Sequence, residues 1–292
     1  MEGQGRVAQS ALTASVETPS GKGSGDENFP VGSWLIRREL RPHVHAFYRF
    51  ARQADDIADN PLLSPEEKLR RLDRMGQVLD GAAGDDAPAA IAMRASLKET
   101  RLTPQHCHDV LHAFRMDATK RRYRDWDDLM NYCRYSAAPV GRQVLELHGE
   151  SRDTWAFSDP LCNALQVLNH LQDCVADYRA LDRVYLPEQD LAACGSSIAD
   201  LTQPRLSAGL RRVIDRLLDG TDALIATARG LPPAVESPGL RRETGMIVTL
   251  AERLSRRLRR GDPLARRVAL TGGDFACALV MGLWRGRRWG QW

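Results

Sequence analysis

The 292-residue sequence lacks the alternating valine-, isoleucine- and threonine-rich stretches that are typical of β-strands. Its longest apolar run, Phe275–Trp284, is too short to span a bilayer. Neither sign of charge dominates, since lysine plus arginine number 41 and aspartate plus glutamate 38. These absences argue against a β fold, a membrane-spanning protein and a nucleic-acid-binding protein.

The sequence also lacks the cysteine spacing of a metal or redox site. Its six cysteines contain no C-x-x-C pair, and His106-Cys107-His108 has no second half at ligand spacing. We therefore expect most cysteines to be small buried residues in a reducing compartment, and the His-Cys-His stretch to be structural or on the surface. The first 25 residues are rich in serine, glycine, threonine and alanine, without the apolar core of a signal peptide, so a cytoplasmic protein is expected.

What remains is a helical pattern along nearly the whole chain. The sequence predicts a disordered segment over 1–26 and one all-α domain, a helical bundle around a central cavity, over 27–292. Pro139 should kink a helix that is predicted over 126–148. The predicted helices are 37–59, 65–80, 88–100, 104–117, 126–148, 157–179, 205–229, 238–260 and 274–287.

Near the start of the predicted bundle, the segment FYRFARQADDIADN places several charges within four helical turns. Asp55 and Asp59 are four residues apart and share a helix face, with Asp56 beside them and Arg52 on nearly the same face. Like charges at this spacing repel each other in an isolated helix. The segment therefore fits either a solvated face or half of a metal-diphosphate site.

A second polar stripe crosses an otherwise apolar helix. Gln166, Asn169, Asp173 and Asp177 follow one another at spacings of three and four, while leucine and valine occupy the other faces. A polar stripe on so apolar a helix predicts a polar pocket inside the bundle rather than contact with bulk water.

Paired carboxylates on two facing helices are suited to hard divalent cations. Mg²⁺ prefers a few carboxylates together with water and phosphate oxygens, so such a cluster would bind a diphosphate and stabilise its departure. Arg52 and Arg183 could neutralise the remaining phosphate charge, and apolar walls would shield the carbocation left behind. A di-iron bundle is excluded because its Glu-x-x-His pairs are missing.

Four motifs together resemble the squalene/phytoene synthase family, the head-to-head prenyl transferases. Their order and spacing agree with the family over roughly residues 27 to 270. The motifs are Tyr48-x-x-x-Arg52-x-x-Asp55-Asp56-x-x-Asp59, Tyr132-Cys-Arg-Tyr135 running to Val140-Gly141, Gln166-x-x-Asn169-x-x-x-Asp173-x-x-x-Asp177, and Arg183-Val-Tyr-Leu-Pro187.

The resemblance implies an isoprenoid synthase fold, with Mg²⁺, or Mn²⁺ in its place, bridging four aspartates to a prenyl diphosphate. Metal-binding and catalytic roles would fall to Asp55, Asp59, Asp173 and Asp177, with Tyr48 and Tyr132 near the reacting centre. The substrate-binding residues implied are Arg52, Asn169, Arg183, Gln166 and Phe29.

Two positions depart from the family pattern. Asn28-Phe29-Pro30 stands where the family has Ser-Phe, and Gln172 replaces the arginine before the first aspartate of the second motif. Loss of that arginine suggests the loss of a phosphate contact and makes condensation of two separate prenyl diphosphates less favoured.

The segments Glu27–Trp34 and Asp177–Pro187 resemble a bacterial subgroup of the family, the hydroxysqualene synthases of hopanoid pathways. The subgroup ionises presqualene diphosphate and quenches the rearranged cation with water, without NADPH. Two alternatives stay open. One is a condensing enzyme that makes presqualene diphosphate, squalene or phytoene from two allylic diphosphates, and the other is a non-catalytic scaffold. The resemblance to the subgroup also suggests neighbours in the hopanoid pathway as partners.

Basic residues are concentrated near the C-terminus, in Arg256–Arg267 and Arg285–Trp292. Solvated helix faces would explain them, and so would peripheral contact with an anionic membrane surface. The apolar run Phe275–Trp284 is interpreted in the same two ways, as a core helix or as a membrane contact, and the core helix is favoured.

Overall fold

A computed structural model describes residues 15–16 and 36–285 of the chain. Within these ranges the regular structure is helical and includes no strand, which confirms the predicted all-α class. The α-helices are α1 (Arg41–Asp59), α2 (Pro65–Leu79), α3 (Pro88–Thr100), α4 (Gln105–Thr119), α5 (Trp126–Ser136), α6 (Ala138–Leu147), α7 (Trp155–Leu181), α8 (Glu188–Ala193), α9 (Ala208–Ala228), α10 (Leu231–Ala234), α11 (Pro238–Arg260) and α12 (Gly272–Arg285).

Local sequence signals explain several helix starts. The Ser64 hydroxyl accepts a hydrogen bond from the Glu67 amide at 3.3 Å, with Pro65 in the first turn of α2. Asp125 caps α5 in the same way, accepting from the Asp128 amide at 2.8 Å. Each cap satisfies an amide that has no partner inside its helix.

The prediction of one kinked helix over 126–148 was wrong in its geometry. The chain breaks at Ala137, which separates α5 from α6, and Pro139 lies in the first turn of α6. Proline in a first turn loses no helical hydrogen bond, whereas within a continuous helix it would lose one. The short helices α8 and α10 lie outside the helices that the sequence predicts.

Two large hydrophobic clusters make up most of the core, beside a small third one around Ile36, Val44 and Leu147. The first large cluster is formed by the helices α1, α2, α3 and α4 and includes Phe50, Leu72 and Met93. The second is built mainly from α5, α7, α9 and α11. The helices α1 and α7, which carry the two aspartate motifs, thus belong to different clusters. The cavity described below is lined by residues of both helices.

The C-terminal apolar run forms α12, but it is not the buried core helix that the sequence favoured. Ala278 is buried against the bundle, whereas the side chains of Phe275, Leu279, Val280 and Leu283 are exposed. No helix in the described parts of the chain is long and apolar enough to cross a membrane.

Candidate active site

One cavity of about 560 Å³ is lined by both aspartate motifs. Along α7 its lining extends from Ser158 to Asp177, which is roughly 28 Å at 1.5 Å per residue. The stripe of Gln166, Asn169, Asp173 and Asp177 faces this cavity, which confirms the predicted polar pocket. We call the part around the four aspartates the carboxylate end and the part toward Ser158 the apolar end.

The first aspartate motif is paired with arginines from two directions. Arg52, on the same helix, lies 3.4 Å from the Asp55 carboxylate. Arg183 comes from beyond α7 and donates to Asp59 at 3.0 Å. Both arginines predicted to bind phosphate therefore lie at the carboxylate end, where they also line the cavity.

The end of α7 explains how Arg183 reaches the cavity. Asp182 adopts a left-handed conformation with φ of 50° and terminates the helix. Its carboxylate is held by Arg122 at 2.6 Å and by Arg121 at 3.0 Å. The turn directs the chain back toward the bundle, so that Arg183 becomes buried beside Asp59 and Asp117.

The second motif is paired with an arginine that sequence reasoning missed. Arg267, in the segment after α11, contacts both oxygens of Asp173, at 2.6 and 3.2 Å. Gln172 is buried, does not line the cavity, and donates to the Val268 carbonyl at 2.5 Å. The glutamine that replaces the family's arginine thus holds the segment that carries Arg267.

The carboxylates crowd one another. Burial, reinforced by the charge of Asp59, raises the pKa of Asp55 to about 8. Burial and the charge of Asp173 raise the pKa of Asp177 to about 7. A bound divalent cation would relieve this repulsion and favour the ionised carboxylates.

Within the described residues, no three histidine, cysteine or acidic side chains converge as a preformed metal cage. A hard divalent cation such as Mg²⁺ takes one or two carboxylates and completes its shell with water and substrate phosphate. The donor set and its crowding therefore suit a metal that arrives with a diphosphate.

Asp117 on α4 is the second residue that the sequence analysis missed. It is buried, and its carboxylate accepts hydrogen bonds from Tyr132 at 2.8 Å and from Tyr185 at 3.2 Å. Arg183 lies 3.4 Å from the same carboxylate and donates to the Asp117 carbonyl. Burial raises the pKa of Asp117 to about 6, although the Arg183 charge opposes that rise. One feature of the sequence could have identified Asp117 as buried. It follows Val110 and Ala113 at helical spacing and so lies on the buried face of α4.

Aromatic rings gather where the two ends of the cavity meet. His170 stacks on Tyr185 with ring centroids 3.4 Å apart, and Tyr132 lies 5.9 Å from His170. Burial and the nearby Arg183 charge lower the pKa of His170 to about 3, so its imidazole is neutral at ordinary pH. Tyr132 belongs to both the core and the cavity wall, because its hydroxyl is bonded to the buried Asp117 and its side chain lines the cavity.

The apolar end is walled mainly by α1, α6, α7 and α11. Gly141 allows α6 to approach α7 closely, since a Cβ there would lie 2.5 Å from the Ser158 hydroxyl and 2.6 Å from the Cys162 sulfur. The apolar residues that line this end include Phe47, Val140, Val144, Leu161, Leu165, Leu240 and Ile247. Such a wall suits a long hydrocarbon chain.

The structure brings together nearly all the residues that the sequence singled out. The members that line the one cavity are Tyr48, Arg52, Asp55, Asp59, Tyr132, Gln166, Asn169, Asp173, Asp177 and Arg183. Phe29 and its neighbours Asn28 and Pro30 lie outside the described residues, as does the segment from 286 to 292.

Comparison with known proteins agrees with this geometry. The family model for squalene/phytoene synthase matches residues 23–274. The chain is 45% identical over 267 residues to a hydroxysqualene synthase of Rhodopseudomonas palustris, covering 91% of each chain. It is 46% identical to a hydroxysqualene synthase of Zymomonas mobilis, covering 85% of this chain and 84% of the other. The crystal structure of squalene synthase HpnC from Alicyclobacillus acidocaldarius superposes with a TM-score of 0.69 at 34% identity, covering 79% of this chain and 87% of the other.

Proposed function

Because the chain belongs to the squalene/phytoene synthase family, we propose that it is a hydroxysqualene synthase. It takes presqualene diphosphate, releases the diphosphate, lets the cation rearrange and adds water to give hydroxysqualene. The observation that carries the proposal is one cavity with four aspartates and two arginines at one end and an apolar wall at the other. Such a cavity holds a substrate that is anionic at its head and hydrocarbon along its length.

The metal is proposed to be Mg²⁺, with ions held by the pair Asp55 and Asp59 on α1 and by the pair Asp173 and Asp177 on α7. When bound, it supplies positive charge to the diphosphate oxygens and makes the diphosphate a better leaving group. The crowding that raises the pKa values of Asp55 and Asp177 supports this choice, because a divalent cation offsets repulsion among the carboxylates.

Arg52 and Arg183 are proposed to bind the diphosphate. Both lie at the carboxylate end, and Arg183 is held in place by Asp59 and Asp117 before any substrate arrives. A guanidinium fixed in this way loses little freedom when it donates to phosphate oxygens. We assign Arg183 the larger share, since it is the more buried of the two.

The remaining residues that line the cavity are proposed to stabilise the cation and to shield it from water. The ring of Tyr132 lies beside the cavity with its hydroxyl bonded to Asp117, and it is the aromatic ring proposed to stabilise positive charge there. The apolar wall keeps bulk water away from the reactive centre. Asn169 and Gln166 supply amide groups at the boundary between the two ends.

Product analysis tests the proposal. Purified protein is incubated with presqualene diphosphate and Mg²⁺ without NADPH, and in parallel with farnesyl diphosphate alone. Hydroxysqualene from the first reaction and no product from the second is the expected result. Formation of presqualene diphosphate or a hydrocarbon from an allylic diphosphate would assign the chain to the condensing branch. A protein that releases no diphosphate from any of these substrates, yet remains folded, would contradict an enzymatic role.

A further inference from the structure

Three uncharged polar atoms of residues that line the cavity are buried and have no hydrogen-bond partner among the described residues. They are the Ser136 hydroxyl, the Gln143 carbonyl oxygen and Nε2 of His170, and all three residues line the cavity. Leaving one such atom unsatisfied costs the folded protein the desolvation of that atom. Folded proteins usually avoid this cost by holding an ordered water. A cavity wall with three such atoms therefore predicts bound water.

The three residues lie near Tyr132 and the break between α5 and α6. Ser136 is one helical turn after Tyr132, and the His170 ring lies 5.9 Å from the Tyr132 ring. Gln143 follows the break on α6 and is only 1% exposed. His170 is three residues from Asp173, roughly 4.5 Å along the α7 axis. His170 thus lies toward the carboxylate end, where the diphosphate would depart, and Ser136 and Gln143 belong to the helices on either side of the break.

We propose that His170, assisted by Ser136 and Gln143, holds the water molecule that quenches the rearranged cation, an inference that rests on the proposed function. The water donates one hydrogen bond to Nε2, which directs an oxygen lone pair toward the cation. Stacking on Tyr185 fixes the plane of the imidazole ring and with it the position of that water.

The step balances without another reactant. The water oxygen forms the carbon–oxygen bond, and the resulting oxonium ion transfers one proton to Nε2 of His170. The proton then leaves to solvent with the diphosphate, and the neutral imidazole is regenerated. An oxonium ion is a far stronger acid than an imidazolium, so this transfer is downhill even for the weakly basic imidazole of His170.

The chain offers a close control. His148 is also buried, and its Nε2 also has no hydrogen-bond partner among the described residues, but it does not line the cavity. His148→Leu therefore makes the same substitution as His170→Leu at a buried position that does not line the cavity. Both variants lose a neutral buried imidazole of similar volume.

The experiment compares the products from presqualene diphosphate for wild type, His170→Leu and His148→Leu, with diphosphate release measured separately. In His170→Leu, the ratio of hydroxysqualene to elimination hydrocarbons should fall by about 10- to 100-fold, while diphosphate release changes only several-fold. His148→Leu should keep the wild-type ratio, and His170→Gln, which retains an acceptor, should restore part of it. A loss of folding alone would not move this ratio, since only folded molecules turn over.

A second variant and a crystal structure test the same inference independently. If His170→Leu does not fold, the double variant Ser136→Ala/Gln143→Leu takes its place and should lower the same ratio. An unchanged ratio in folded variants would overturn the inference, as would a high-resolution crystal structure without a water within about 3 Å of Nε2. A wild-type protein that makes no hydroxysqualene would instead overturn the proposed function itself.

Discussion

The carboxylate end and the rest of the cavity wall differ in how their polar groups are paired. At the carboxylate end, acids are paired with arginines that come from other parts of the chain, Arg183 with Asp59 and Arg267 with Asp173. Beyond the aspartates, the cavity wall holds three uncharged polar atoms that have no protein partner among the described residues. The first arrangement suits a site that exchanges one ion for another, and the second suits a site that protects a cation and supplies one water.

The largest effect is expected when the carboxylate end loses one of its proposed metal ligands. Asp55→Asn and Asp173→Asn should each lower turnover by at least about 10³-fold, because the charge that holds the metal at the diphosphate is removed. Thermal unfolding should show that both variants remain folded.

Asp56→Asn provides the control for this experiment. Asp56 neighbours Asp55 on α1 and lies 3.7 Å from Arg52, but it does not line the cavity. Its substitution should leave most of the activity in place. A folded Asp173→Asn enzyme with wild-type turnover would refute the assignment of the second motif.

The next largest effect is expected on stability, when Asp117 loses its charge. Asp117→Asn leaves the buried Arg183 with only Asp59 as a charged partner and should lower the free energy of unfolding by about 3 kcal/mol. Urea unfolding measures the change. Asp73→Asn is the control, because Asp73 pairs with Arg115 on the exposed surface and should cost less than about 1 kcal/mol. Equal costs for the two variants would mean that Asp117 does not support Arg183 as the geometry indicates.

The sequence predicted the helices and the two aspartate motifs because both follow local periodicity. Spacings of three and four place Asp173 and Asp177 on one face of α7 whatever the tertiary structure. The break at Ala137 was read as a kink, since sequence shows where a proline lies but not whether a helix restarts just before it. The exposed face of α12 was missed because apolar composition does not reveal how much of a helix finds a partner.

The partners of the site residues were beyond sequence reasoning. The contact between Arg267 and Asp173 joins positions far apart in the chain, and the segment that allows it is anchored by a hydrogen bond from Gln172. Only the assembled fold shows that the substitution of Gln172 for the family's arginine has a structural use. Asp117 was hidden for the same reason, since a single acid on an apolar helix face has no pattern of its own.

A smaller effect should appear where the two ends meet, in the acid sensitivity of folding. The pKa of His170 is about 3 in the folded protein, below the value of about 6.5 for an unfolded histidine. The unfolded state therefore binds the proton first, so this contribution to stability is present above pH 6.5 and is lost as the pH falls toward 3. Between pH 7 and pH 5, wild type should lose about 2 kcal/mol more unfolding free energy than His170→Leu. Parallel pH profiles of the two proteins would contradict a neutral, buried imidazole.

The smallest effect on stability is expected from Arg267→Gln at the carboxylate end. The Arg267 side chain is 46% exposed and that of Asp173 35%, so their ion pair should contribute less than about 1 kcal/mol to the free energy of unfolding. Its effect on ligand binding should be clearer. The guanidinium contacts both Asp173 oxygens, so Mg²⁺ must compete with it for that carboxylate in the substrate-free enzyme. Calorimetric titration should show that Arg267→Gln binds Mg²⁺ a few-fold more tightly, whereas Arg266→Gln, one residue away and exposed, should match wild type. Weaker Mg²⁺ binding by Arg267→Gln would show that the arginine orients Asp173 for the metal, and the carboxylate end would then be a preformed site and not an exchangeable one.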